Sequence, residues 1–446
     1  MSDLTLIAAR LHRRNLLLGA AAFTGLTACS KTQTSSSNGG AITLRMSWWG
    51  GTSAHKATLN ALQLFEKRHP HIRVRGEYTG FTGHLERLTT QIAGETAPDV
   101  MQINWYWQTL FSRDGEGFTD LNQYKNEIDF SQFDARTLSM GTTAGKLNAL
   151  AISNAARLMY LNKTTYDKAG LSLPDTWESL FSRGPQFKAK LGDAYYPLDG
   201  LFQDFITLAR SYIVQKTGKA LVNSETKSLN CTRADMHEYA GFYAKMIRDH
   251  VWPSAQVRAS YGYLPQQEMR PWINGEFAGT YQWNSAIEKY TDTLASIDGR
   301  PQEVVLAPYP IRPGATDAGL LYRPSMMFAV NAKSPHPRES AMLINFLLND
   351  PDGVRAMETK RGVPVSKTAQ KILRDDGLIG KLQQDSEDML ARLPINVLES
   401  PYFEHPRVRD GFQDILEAFG YGKITLKQAG DALYDDINAI LHRIIR

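Results

Sequence analysis

The chain has 446 residues, 42% hydrophobic and 22% charged, with a formal net charge of +4. That is ordinary globular composition, too long for one compact core, so two or more lobes are expected. The charge is too weak to argue for a nucleic-acid partner, and no stretch approaches the roughly 20 apolar residues of a membrane span.

The first residues read as an address. "HRRNLLLGAAAFTGLTACS" sets Arg13 and Arg14 before a short apolar run from Leu16 to Ala28, the pattern of an export signal over residues 1–28. The arginine pair suits a twin-arginine route, but His12 and Leu18 depart from it and arginine pairs also occur in general secretion signals. "LTAC" resembles a bacterial lipobox, with Cys29 as the lipidated first residue of the mature chain. Residues 29–41, rich in Ser, Gly and Asn, then read as a flexible tether. Losing Arg10, Arg13, Arg14 and Asp3 with the signal lowers the net charge from +4 to +2. Cys231 is the one other cysteine, so the mature chain has no second thiol to pair internally with it, apart from the lipidated Cys29.

Residues 42–49 read as a strand. "SAHKATLNALQLFEKRHP" is helical by the spacing of Ala54, Ala57, Ala61 and Phe65, and Pro70 stops it. "IRVRGEY" is a second strand, "HLERLTTQIAG" a helix, and "DVMQIN" a third strand. The alternation predicts crossover units and a mostly parallel sheet. A new strand starts at "RLMYLN" (157–162), followed by a helical middle. Strands return at 276–283, 303–310 and 325–331, and the last hundred residues are helical.

Enzyme signatures fail when tested. "GTTAGK" has Met140 where a phosphate loop needs glycine and Leu147 where it needs Ser or Thr. "GGTSAH" lacks the glycine after Ser53 that a nucleophile elbow requires. No zinc-helix or paired-cysteine motif occurs, and His69 and His71 read as surface residues, so neither a metal nor a cofactor is expected. A catalytic carboxylate pair drawn from distant loops stays open.

The aromatics carry more. Trp48 and Trp49, Trp105 and Trp107, Trp252, Trp272 and Trp283 group near strand ends. Neighbours in a strand point to opposite faces, so one of Trp48 and Trp49 is expected in the core and the other in a cleft. Flat rings at strand tips suit the apolar face of a sugar, with polar groups on its hydroxyls. Gly50 and Gly51 would let a ligand approach the backbone. Any single one of these tryptophans could equally be a core residue.

The lipobox followed by "ITLRMSWWGG", "ALQLFEKRHPHIRV", "RLTTQIAGETAPDVMQIN", "WINGEFAGTYQWNS" and "SAMLINFLLNDPDG" resembles the family 1 extracellular solute-binding proteins, which deliver carbohydrates to ABC importers. "SWWGG", "EYTGFTGHLERLTTQIAG", "MRPWINGEFAGTYQWNS" and "KRGVPVS" are most similar to the oligogalacturonide-binding members of pectin-uptake systems. The resemblance implies an α/β, two-lobed periplasmic-binding-protein fold with a hinge and an inter-lobe cleft. Lobe 1 would be 42–151 and 304–362, and lobe 2 would be 152–303 and 363–446. It also implies a monomeric, lipid-anchored binding protein of the periplasm or outer face of the cytoplasmic membrane. The partners would be an oligosaccharide and permease subunits. An acidic sugar needs donors for its carboxylates, and arginine's planar fork suits them. Arg157, Arg323, Arg361 and His84 are the candidates, each of which could equally be a surface cation; Asn104, Gln282 and Asn284 are candidates for hydroxyls. A neutral oligosaccharide as ligand, or a secreted pectin-degrading enzyme, are the rival readings.

Overall fold

Alternation of Leu44, Met46 and Trp48, all fully buried, makes Ile42–Trp49 a strand (β1) with one face on a core. In the computed structural model, which describes residues 41–445 except Tyr263, it leads into helix α1, Thr52–Arg68. This helix buries Ala54, Thr58, Ala61, Leu62 and Phe65 as one stripe and ends on Lys67 and Arg68, cations that suit a helix C-terminus. Strand β2 (Ile72–Thr79), helix α2 (His84–Ala93) and strand β3 (Val100–Ile103) follow the expected order. Gly76 of β2 is small for a reason: a Cβ there would lie 2.6 Å from the Trp48 ring. The expected export signal, Cys29 and nearly all of the tether lie outside the described residues.

The decisive element is β4, Ala149–Asn162, fourteen residues long and buried throughout. Three further strands pair with it: β5 (Gly279–Trp283), β6 (Val304–Leu306) and β7 (Tyr322–Val330). The sheet order is β6-β4-β7-β3-β1-β2, with β5 also on β4. Only β2–β1–β3 is parallel; every pairing of β4 and β7 is antiparallel. The expectation of a mostly parallel sheet is therefore corrected. Long returning connections, rather than helical crossovers, bring β5, β6 and β7 back beside β4.

β4 changes partners along its length. Residues 149–156 pair with β7, and 157–161 pair with β5. It thereby joins two hydrophobic cores. One contains Leu44, Trp48, Phe65, Ile152, Phe328 and Leu347; the other contains Leu158, Phe205, Tyr239, Trp272, Leu321 and Leu433. Residues 304–321, expected with the first lobe, pack into the second core through Ala307, Tyr309 and Leu320, because Leu306 pairs with Tyr160 of β4. Residues 367–375, expected with the second, pack Ala369 and Leu373 against Val354 of the first. Helices of the second core that matter for the site are α3 (Phe202–Thr217) and α4 (Pro406–Gly420).

Candidate functional site

The register of the sheet assembles a cluster that is remote in sequence. Arg323 pairs with Ala155 and Trp283 pairs with Arg157. Residues 155 and 157 share a strand face, so Arg323, Arg157 and Trp283 project from the same face where β4 changes partners. Both guanidiniums lie over the Trp283 indole, at 4.6 Å for Arg157 and 4.2 Å for Arg323. Across a cleft of about 560 Å³ they face Phe81, Asn104, Tyr106 and Trp107. Gln203 of α3 and Glu404, Pro406 and Arg409 at the start of α4 complete the rim. A depression of similar size, about 600 Å³, beside Asn122, Lys125 and Asn345 holds none of the expected side chains.

The charges in the cleft are largely paired. Arg157 donates to Asp204, an acid in the first turn of α3 that also accepts from the Leu201 amide at 2.8 Å. Arg323 meets Glu404 through both ends of its fork, with Nη2 donating to Oε1 at 2.9 Å and Nε 2.7 Å from Oε2. What is left over is polar and aromatic. Asn104 Oδ1, Trp107 Nε1, Arg157 Nε and Gln203 Oε1 are buried without a protein partner, and all four residues line this one cleft. Clustered orphan donors and acceptors beside apolar rings are what a ligand rich in hydroxyls satisfies.

Of the residues expected from the sequence, the cleft brings together Asn104, Trp107, Arg157, Trp283 and Arg323. The others fall elsewhere. Trp48 is the core member of its pair, stacked on Tyr78 at 5.1 Å with its N–H donated to His55. Trp49 lies on the opposite face, behind the cleft, against Trp107 at 5.1 Å. Trp105 and Trp272 are buried because their indole N–H groups reach backbone carbonyls, Met140 at 3.2 Å and Tyr290 at 3.1 Å. Neither lines the cleft. His84 is fully buried beside Trp107, and burial holds its imidazole down at about 4, so it is a neutral packing group rather than a carboxylate partner. Arg361 is likewise internal, donating to Trp49 O, Gln102 and Thr58, with burial lowering it to about 10. Gly50 packs beside Arg361, and Gly51 opens α1 rather than the cleft. Asn284 ties β4 to a helix, accepting from Ala156 N at 3.2 Å and donating to Glu387 at 2.9 Å. Gln282 is buried on Tyr290.

Sequence reasoning missed Tyr106, Gln203, Glu404 and Arg409. One signal was available for the last: "HPRVRDGF" opens a helix with two arginines in a turn where the helix dipole disfavours cations.

The signature of the bacterial extracellular solute-binding proteins matches residues 49–353. A periplasmic oligogalacturonide-binding protein from Yersinia enterocolitica, solved with saturated digalacturonic acid, is 45% identical with a TM-score of 0.83, covering 91% of this chain and 100% of that one. A periplasmic solute-binding protein from Pectobacterium atrosepticum is 40% identical with a TM-score of 0.86, at 91% and 100% coverage. A Brucella abortus protein described as a binding protein is 32% identical over 188 residues, a span of 42% of this chain and 45% of that relative. Both solved neighbours are binding proteins, and the TM-scores show that this chain shares their α/β fold. The chain belongs to the bacterial extracellular solute-binding protein family.

Proposed function

We propose that this protein captures oligogalacturonides outside the cytoplasmic membrane and hands them to the permease of an ABC importer. It does so by reversible binding in the cleft between the walls that carry Trp107 and Trp283, without covalent chemistry. The observation that carries the reading is the set of four buried, unpartnered polar atoms around the Trp107 and Trp283 rings. Sugar hydroxyls and ring oxygens match such atoms, and the half-buried Trp283 indole matches the apolar sugar face. The Yersinia protein's bound digalacturonic acid supports an acidic sugar over a neutral one. The lipid anchor at Cys29, a monomeric state and motion of the two lobes about β4 belong to the same proposal.

Against the reading as a pectin-degrading enzyme, Glu404 is engaged by Arg323, and the Cys231 thiol is pushed up to about 12 by burial, away from the cleft. The test is a thermal-shift panel of galacturonate oligomers against neutral maltose-type and xylose-type oligomers. A ligand at 100 times its Kd stabilises by about 2.7 kcal/mol. Galacturonate oligomers are expected to shift the transition while remaining intact. A shift with neutral oligomers alone rejects the acidic ligand, and turnover of polygalacturonate rejects the transport role.

A further inference from the structure

We infer that the start of α4 forms a carboxylate subsite at the rim of the cleft, with Arg409 as the side chain that selects an acidic ring over a neutral one. This rests on the sugar-binding reading above and assigns its charge selectivity to a residue that the sequence did not single out.

The charges of the cleft single out Arg409. Three cations line the cleft among the described residues: Arg157, Arg323 and Arg409. The first two are already matched by Asp204 and Glu404, so each presents a neutral pair to a ligand. Arg409 has only 3.4 Å contacts to Asp410, its exposed neighbour in sequence. An incoming carboxylate gains most at a cation that no buried acid already holds.

The helix adds to this. α4 has fifteen residues and no acidic residue in its first turn, which instead holds Arg407 and Arg409. The partial positive charge of a helix N-terminus disfavours cations and favours an anion beside them. Independently of the helix, Trp107 is fully buried yet keeps its Nε1 unpartnered at the same cleft, and Arg157 does the same with Nε. The polar atoms awaiting a ligand thus belong to residues that line the same cleft as Arg409.

The negative charge of the cleft sits apart from Arg409. Tyr106 lines the same cleft; burial chiefly raises its phenol, and among nearby charges Arg409 favours the ionised form while Glu404 and Glu86 oppose it. Glu404 is held by Arg323, whereas Glu86 is exposed and lines the cleft from the other wall. A sugar carboxylate is therefore drawn toward Arg409 and away from Glu86.

The experiment is calorimetric titration of the mature chain with digalacturonate and with its neutral analogue, galactobiose. Wild type is compared with Arg409→Gln, Arg409→Lys, Arg407→Gln and Glu86→Gln. The ratio of affinities, acidic over neutral, is expected to fall about tenfold or more in Arg409→Gln, the loss of a charged hydrogen bond. Arg409→Lys keeps the charge without the fork and is expected to be intermediate. Arg407→Gln, an exposed arginine of the same turn outside the cleft, leaves the ratio unchanged, and Glu86→Gln raises it. An unchanged ratio in Arg409→Gln, or an equal fall in Arg407→Gln, overturns the subsite while the functional reading stands. Failure of wild type to bind digalacturonate rejects both.

Discussion

Replacing Trp283 by leucine tests the mutual support of the ring and the two arginines. Leucine keeps apolar bulk but removes the π face that both guanidiniums cover, at 4.6 and 4.2 Å. A cation–π contact is worth about 0.5–1 kcal/mol when exposed and about 2 when desolvated. Arg157 and Arg323 are only 5% and 7% exposed, so the desolvated end of that range applies to both. Leucine's remaining contacts offset part of the loss, leaving an expected destabilisation of about 2 kcal/mol. Urea unfolding at neutral pH measures it, as a lower midpoint with an unchanged slope. The same variant is expected to bind digalacturonate more weakly, because Arg157 and Arg323 lose the surface that orients them. A loss below about 0.5 kcal/mol together with unchanged ligand affinity would refute the idea that these contacts hold the cleft wall.

Asp204→Ala leaves Arg157 buried without a counter-charge and is expected to cost about 3–5 kcal/mol in the same assay. Asp204→Asn retains an acceptor for the Leu201 amide and is expected to lose less. Gly76→Ala forces a methyl to within 2.6 Å of Trp48 and is expected to destabilise by about 1–3 kcal/mol, read from thermal or urea unfolding. pH separates two buried groups of opposite sign. His84, held down at about 4, contributes stability that is lost as pH falls from 6.5 through 4. Glu387, pushed up by burial to about 7, makes stability fall as pH rises from 4.5 through 7. Each effect is at most about 3 kcal/mol, so the two largely cancel in the wild type. Unfolding midpoints between pH 4 and 7 should fall with rising pH in His84→Gln and with falling pH in Glu387→Gln.

Local patterns were legible where one element decides the outcome. Strand alternation assigned Trp48 and Trp49 to opposite faces, and helical spacing found α1 and α2 to within a residue or two. The cleft was legible only in part, because its geometry depends on β4 changing partners between Ala156 and Arg157, a tertiary event without a local signal. The pairing of Arg157 with Asp204 spans 47 residues and that of Arg323 with Glu404 spans 81, so the neutralisation of both arginines is invisible in any window. Trp105 and Trp272 look like binding-site indoles until their N–H groups are seen on carbonyls. The packing of residues 304–321 had no local signal either: Leu306 pairs with Tyr160 of β4 across more than 140 residues.

The most direct test of the account is a crystal structure of the mature chain with digalacturonate. A sugar ring is predicted against Trp283, with hydroxyls on Asn104 and Gln203 and a carboxylate turned to Arg409. A ligand bound outside this cleft, or one whose carboxylates all face away from Arg409 with Trp283 untouched, would contradict the account.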